Sequence, residues 1–215
     1  DDGLIHGVRP GSVVVDMSTI SPAAARAFAS ELKRRGADML DAPVSGGEIG
    51  AINATLSIMV GGKPEVFARV QPCFAAMGKN IVHVGDHGAG QVAKACNQVV
   101  AAVTIEAVAE ALTFARRSGV DPAKVRAALL GGFAGSKILE AHGQRMLDND
   151  FKPGFKVKLH QKDLKIVMDD AHKLGLTLPG VALVARHLNA LVDAGDGDLD
   201  SAAIVKVIER MSGRS

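Results

Sequence analysis

The feature that most restricts how this chain can fold is a change of pattern near residue 88. Before it, short apolar runs alternate with helical stretches; after it, every patterned stretch reads as helix. The runs at 12–16 ("SVVVD"), 37–44 ("ADMLDAPV"), 55–62 ("TLSIMVGG") and 80–85 ("NIVHVG") have the length and β-branched content of buried strands. Between the first two lies a helix with Ser21 as N-cap, Pro22 at the first helical position and Gly36 as its stop. "SGGEIGAINA" reads as a loop, and the helix that starts at Lys63 is expected to break near Pro72. This alternation predicts an α/β layer with a largely parallel sheet. Val92 to Arg117 contains no Gly or Pro, which predicts one long helix, and further helices are expected at 122–130, about 136–148, about 159–174, 180–194 and 201–210. The expected fold class is α/β followed by all-α, with domains at 1–88 and 89–215 joined by the long helix.

Composition narrows the function. A net charge of +2 exerts no strong pull on nucleic acid or acidic membranes, and the absence of Trp and Tyr removes the usual stacking platforms for bases. The most apolar helical run, Ala95 to Ile105, is too short to span a bilayer and contains Asn97 and Gln98. Two cysteines, Cys73 and Cys96, form no metal or redox pattern and point to a reducing cytoplasm. The seven histidines are scattered, so no metal is assigned.

Four stretches carry side chains able to do chemistry. In "GAGQVAKACNQVVAA" (88–102), Lys94 is the one charge before Glu106, and Lys94, Asn97 and Gln98 share a helix face. A helix start disfavours a cation, so the placement marks either a functional amine or a lysine that snorkels to solvent. "DAPVSGG" (41–47) ends a strand in a hydroxyl and glycine backbone that can hold an anion, or is an ordinary turn. "DMSTIS" (16–21) sets hydroxyls at the carboxyl end of a strand, where parallel sheets receive ligands or helices receive caps. In "HQKDLKI" (160–166), Lys162 and Asp163 are adjacent on a helix, which reads as a solvated pair pointing apart.

Taken in order, "DMSTISP", "LDAPVSGG", "GQVAKACNQ" and "FKPGFKVKLHQKDL" resemble the β-hydroxyacid dehydrogenase family over essentially the whole chain. The resemblance implies part of a Rossmann-type dinucleotide-binding domain followed by a helical domain like that of 6-phosphogluconate dehydrogenase. It implies an oxidoreductase using NAD(H), with NADP(H) also admitted, acting on a small carboxylate-bearing aldehyde or hydroxyacid. "GGFAGSKILEAHGQRML" and the Asn97-Gln98 pair are most similar to the tartronate semialdehyde reductase branch, with 3-hydroxyisobutyrate, glyoxylate and succinic semialdehyde left open as substrates. By this resemblance Lys94 is the catalytic acid and base; Ser45, Gly46 and Gly47 hold the substrate carboxylate. Asn97, Gln98, Phe155 and Asp163 line the substrate, and Thr19 and Lys162 touch the cofactor. The family also implies a homodimer or homotetramer, in keeping with the apolar helical stretches 99–112 and 181–192.

One departure stands out. The family opens with a G-x-G-x-x-G turn for the cofactor pyrophosphate, and no such turn is found; the glycines of "GDHGAG" (85–90) do not fit that spacing. The chain therefore resembles the family without the first half of its cofactor domain, as an N-terminal truncation would produce. A non-catalytic module that keeps the helical domain for oligomerisation is the competing reading.

Overall fold

A computed structural model describes residues 3–213, which form two compact units that divide between Asn97 and Gln98. The division falls within the long helix of residues 89–117.

The first unit begins with a single turn, α1 (Leu4–Gly7), followed by β1 (Val13–Asp16), α2 (Pro22–Arg34), β2 (Asp38–Asp41) and β3 (Val44–Ser45). It continues through α3 (Gly47–Ile52), β4 (Leu56–Gly61), α4 (Pro64–Ala75), β5 (Gly78–Gly85) and the start of α5 (Ala89–Arg117). The strands make one five-stranded sheet in which β1 pairs parallel to β2 and β4 parallel to β5. The sheet is mixed rather than largely parallel, because β4 runs antiparallel to both β2 and β3. The chain bends at Ala42-Pro43, and the short connection through α3 is no full crossover, so β4 can only return antiparallel. That connection was expected to be a loop; six helical residues are too few for a readable apolar period.

Side-chain alternation covers both faces of the sheet. Val14 and Met39 pack with Ala29 and Leu32 of α2, whose N-cap Ser21 accepts from Ala24 N–H at 3.2 Å. Leu40, Ile58 and Val60 pack on the other face with Val66, Val70 and Phe74 of α4. The helix α4 continues through Pro72 instead of breaking there, carrying Phe74 into the core at 1% exposure. With Pro72 one turn from the helix end, the missing N–H is outweighed by that burial.

The second unit consists of the rest of α5 with α6 (Pro122–Leu130), α7 (Lys137–Asp148), α8 (Val157–Lys173), α9 (Pro179–Asp193), a 3-10 turn (Ser201–Ala203) and α10 (Ile204–Met211). Its core includes Ile105, Leu112, Met146, Leu164, Leu188 and Ile204. The run 95–105 proves to be part of a 29-residue helix that, by length and composition, could cross a membrane. Half of that apolar window is buried in the fold, and Gln98, Glu106 and Thr113 set buried polar groups along the helix, which makes it a core helix.

The start of α5 packs on bare backbone. A Cβ at Gly90 would lie 2.4 Å from Met59 O and 2.5 Å from Asp41 O. Gly90→Ala must push α5 off the sheet and is expected to destabilise the chain by about 1–3 kcal/mol or more, read as a lower urea midpoint; an unchanged midpoint would contradict this packing.

Candidate active site

β1 and β2 end side by side, with Asp16 and Asp41 as the last paired residues. The segments that leave this carboxyl edge carry two of the stretches singled out above. Ser18 N–H donates to Asp16 Oδ1 at 2.9 Å, turning the chain sharply after β1. Gln91 then holds the turn from the side: its Nε2 donates to Ser18 O at 2.8 Å, and Ile20 N–H donates to its Oε1 at 3.2 Å. Half-buried Thr19 sits between these two bonds. Ser45, also half-buried, ends β3 opposite Ser57. Gly46 and Gly47 follow at φ 132° and 62°, both exposed, and a Cβ at Gly46 would press on Leu56 at 3.2 Å. The Ser-Gly-Gly turn thus depends on glycine for its backbone path.

The first turns of α5 carry the amine. Lys94 is 8% exposed, so it does not snorkel into water. It lies one turn beyond Gln91, on the same helix face. Asn97 is half-buried one turn further on. Beneath them lies a residue that the sequence reading passed over. Asp41, 1% exposed, accepts from Gly88 N–H at 2.7 Å through Oδ1 and from Gln91 N–H at 3.0 Å through Oδ2. An aspartate closing an apolar strand is an available signal, but its partners lie 47 and 50 residues away and no local pattern reveals them.

In the helical unit, Gln98 Nε2 donates to Asp163 Oδ2 at 2.7 Å, and Lys162 Nζ lies 2.9 Å from Asp163 Oδ1. This corrects the reading of Lys162 and Asp163 as a solvated pair pointing apart. Asp163 is 3% exposed, and the long lysine side chain folds back to meet it. Phe155 is placed by Asp200, whose Oδ2 accepts from Gly154 N–H at 2.9 Å and Phe155 N–H at 3.0 Å. Ser201 Oγ donates to Phe155 O at 3.1 Å, so its contact with His160 Nδ1 at 3.0 Å requires the proton on Nδ1. Arg145 lies 3.4 Å from Asp200 Oδ2, and Asp200 and Ser201 are buried. Glu106 and His187 form a second buried pair at 2.8 Å, and burial pushes the Glu106 carboxyl above the ordinary range against the pull of His187. The structure places Thr19, Ser45, Gly46, Gly47, Lys94 and Asn97 in the first unit, and Gln98, Phe155, Lys162 and Asp163 in the second.

Comparison with known proteins agrees with both halves. Residues 88–208 match the family model described as the NAD-binding domain of NADP-dependent 3-hydroxyisobutyrate dehydrogenase. Residues 1–85 match that of the NAD-binding domain of 6-phosphogluconate dehydrogenase. The chain is 50% identical to 2-hydroxy-3-oxopropionate reductase of Escherichia coli K12, covering 99% of this chain and 73% of that protein. Among solved structures, 3-hydroxyisobutyrate dehydrogenase from Salmonella typhimurium superposes with a TM-score of 0.88 at 34% identity, over 96% of this chain and 73% of that one. The Mycobacterium tuberculosis 3-hydroxyisobutyrate dehydrogenase with L-serine gives 0.85 at 36%, over 95% and 72%.

Such proteins use a nicotinamide dinucleotide, and the residues present fit one in part. Thr19 stands at the carboxyl edge of β1, where dinucleotide folds receive the cofactor. The pyrophosphate needs the amides of a glycine-rich turn at a helix start. With alanine admitted at the last position, the window Gly88–Ala93, shifted from 85–90, does have that spacing, at the start of α5. Two of those amides are already committed to Asp41, so this turn carries an internal anion. No second match occurs in the sequence.

The Asp200 cluster yields a pH dependence. Burial holds the His142 imidazole below its ordinary value, with Arg145 adding to the effect and Asp200 opposing it. The unfolded chain takes up that proton near pH 6.5 while the folded chain resists it, so this contribution is full above pH 6.5 and is lost as the pH falls toward the folded value. Urea midpoints should therefore decline from pH 7.5 to 5, and His142→Gln should flatten the decline. An equal slope in the variant would contradict the assignment.

Proposed function

We propose, from the premise that the chain belongs to the 3-hydroxyisobutyrate dehydrogenase (β-hydroxyacid dehydrogenase) family of NAD(P)-dependent oxidoreductases, that it reduces tartronate semialdehyde to glycerate with Lys94 as the proton donor. The observation that carries this reading is the burial of Lys94 at 8% exposure, on the helix face that Gln91 ties to the carboxyl edge of the sheet. The 50% identity to 2-hydroxy-3-oxopropionate reductase supports the choice of substrate.

When bound, a reduced nicotinamide supplies hydride to the aldehyde carbon. The chain supplies the remainder. Ser45 and the backbone of Gly46 and Gly47 hold the substrate carboxylate, which orients the aldehyde before reaction. As the carbonyl oxygen gains charge, the Lys94 ammonium stabilises it and gives up the proton that makes the hydroxyl. In the oxidative direction the neutral amine takes that proton back. Asn97, Gln98, Phe155 and Asp163 shape the substrate's surroundings, and Thr19 and Lys162 would hold the cofactor.

The enzyme acts in the cytoplasm as a homodimer or homotetramer. The exposure of Val100, Phe114 and Leu174 on the helical unit supports self-association, which the particle mass in solution checks. Lys94→Ala should lower kcat by about 10²–10⁴-fold without moving the thermal midpoint; near-normal turnover would refute the role. Among tartronate semialdehyde, succinic semialdehyde, glyoxylate and 3-hydroxyisobutyrate, the first should show the highest kcat/KM. A tenfold preference for any other would reassign the substrate.

A further inference from the structure

We infer that Asp41 is a positioning residue for Lys94, an inference that rests on the reading of Lys94 as proton donor. At the start of helix α5 the local support comes from backbone, with Ala89 N–H donating to Asp86 O at 2.9 Å. Its first residues follow Gly88, which has φ +84° and no side chain to accept an amide. The accepting group comes instead from the end of β2. The two oxygens of Asp41 take the amides of Gly88 and Gln91, three residues apart on the first turn. Two donors held by one rigid carboxylate fix both the rotation of the helix and its height above the sheet. Hydrogen bonds to an ionised group are the strong ones, and both are buried.

Two further constraints act on the same turn. Gly90 lies against Met59 O and Asp41 O with no room for a methyl group, so the helix cannot move closer or roll without collision. The Gln91 side chain, 1% exposed, is bonded to Ser18 O and Ile20 N–H, which ties the turn to the segment that carries Thr19. Lys94 is the next residue on this face.

Charge points the same way. The start of a helix repels a cation, and Lys94 lies in its second turn. A buried carboxylate on the first-turn amides offsets that positive end. A neutral cap would satisfy the amides but leave the field, so an acidic group here serves the amine as well as the helix.

The test uses the full chain and Asp41→Asn, which keeps shape and removes charge. Steady-state kinetics are paired with trinitrophenylation of Lys94 by trinitrobenzenesulfonate, read by peptide mass spectrometry against exposed Lys79. The labelling requires neither substrate nor cofactor. If Asp41 positions the amine, kcat falls about 10–100-fold, KM for the aldehyde stays within about twofold, and the Lys94/Lys79 labelling ratio rises at least about threefold as the turn loosens. A folded Asp41→Asn with unchanged kcat and labelling ratio, beside an inactive Lys94→Ala, overturns this inference and leaves the role of Lys94 standing. Turnover by Lys94→Ala removes the underlying reading, and the labelling ratio alone then decides whether Asp41 places the amine. Should Asp41→Asn not fold, Asp41→Ser, a smaller neutral side chain that cannot span both amides, decides by the same readouts.

Discussion

A carboxylate buried at the end of a strand accepts two amides from the start of a helix, and the rest of the first unit is arranged around that contact. An ionised group so deeply buried would be severely unfavourable unless paired. Asp41 is tolerated because both oxygens face N–H groups and the positive end of a long helix. The same contact joins three elements, since Asp41 also pairs with Gly61 of β4 while Gly61 and Gly90 leave no room for side chains beside it. The sheet edge and the helix that leaves it therefore meet in one geometry.

That geometry explains how a lysine can sit in a run of small apolar residues. Two amides along this face are tied down, Gln91 to the turn after β1 and Gln98 to Asp163 in the helical unit. Lys162 folds onto Asp163, and Asp200 gathers the backbone of Gly154 and Phe155. Buried polar residues of this all-helical unit, Asp163 and Asp200 among them, are thus satisfied by other polar groups.

Much of this was legible from residue order. Four apolar runs bounded by glycine marked the strands, Ser21-Pro22 marked a helix start, and four separated motifs marked the family. The elements that escaped are those decided by tertiary contact. Pro72 does not break α4, because burial of Phe74 carries the helix past it. The return of β4 beside β2 follows from a bend at Pro43 and a connection too short to cross over, and neither changes the apolar pattern. At the site, Lys94 was visible as a charge out of place, whereas Asp41 looked like the polar end of a strand. Its two partners lie far along the chain, beyond the reach of spacing arguments. Lys162 and Asp163 show the opposite error, in which adjacency suggested divergence and a flexible side chain closed the gap.

The central claim, that Asp41 holds α5 so that Lys94 meets a substrate anchored on the Ser-Gly-Gly turn, is tested most directly by a crystal structure of the chain with glycerate bound. The account expects the glycerate carboxylate on Ser45, Gly46 and Gly47, and its terminal hydroxyl about 2.6–3.2 Å from Lys94 Nζ. It expects both Asp41 bonds to remain in place. Glycerate bound elsewhere, or lying on that turn with its hydroxyl turned away from the amine, would contradict it.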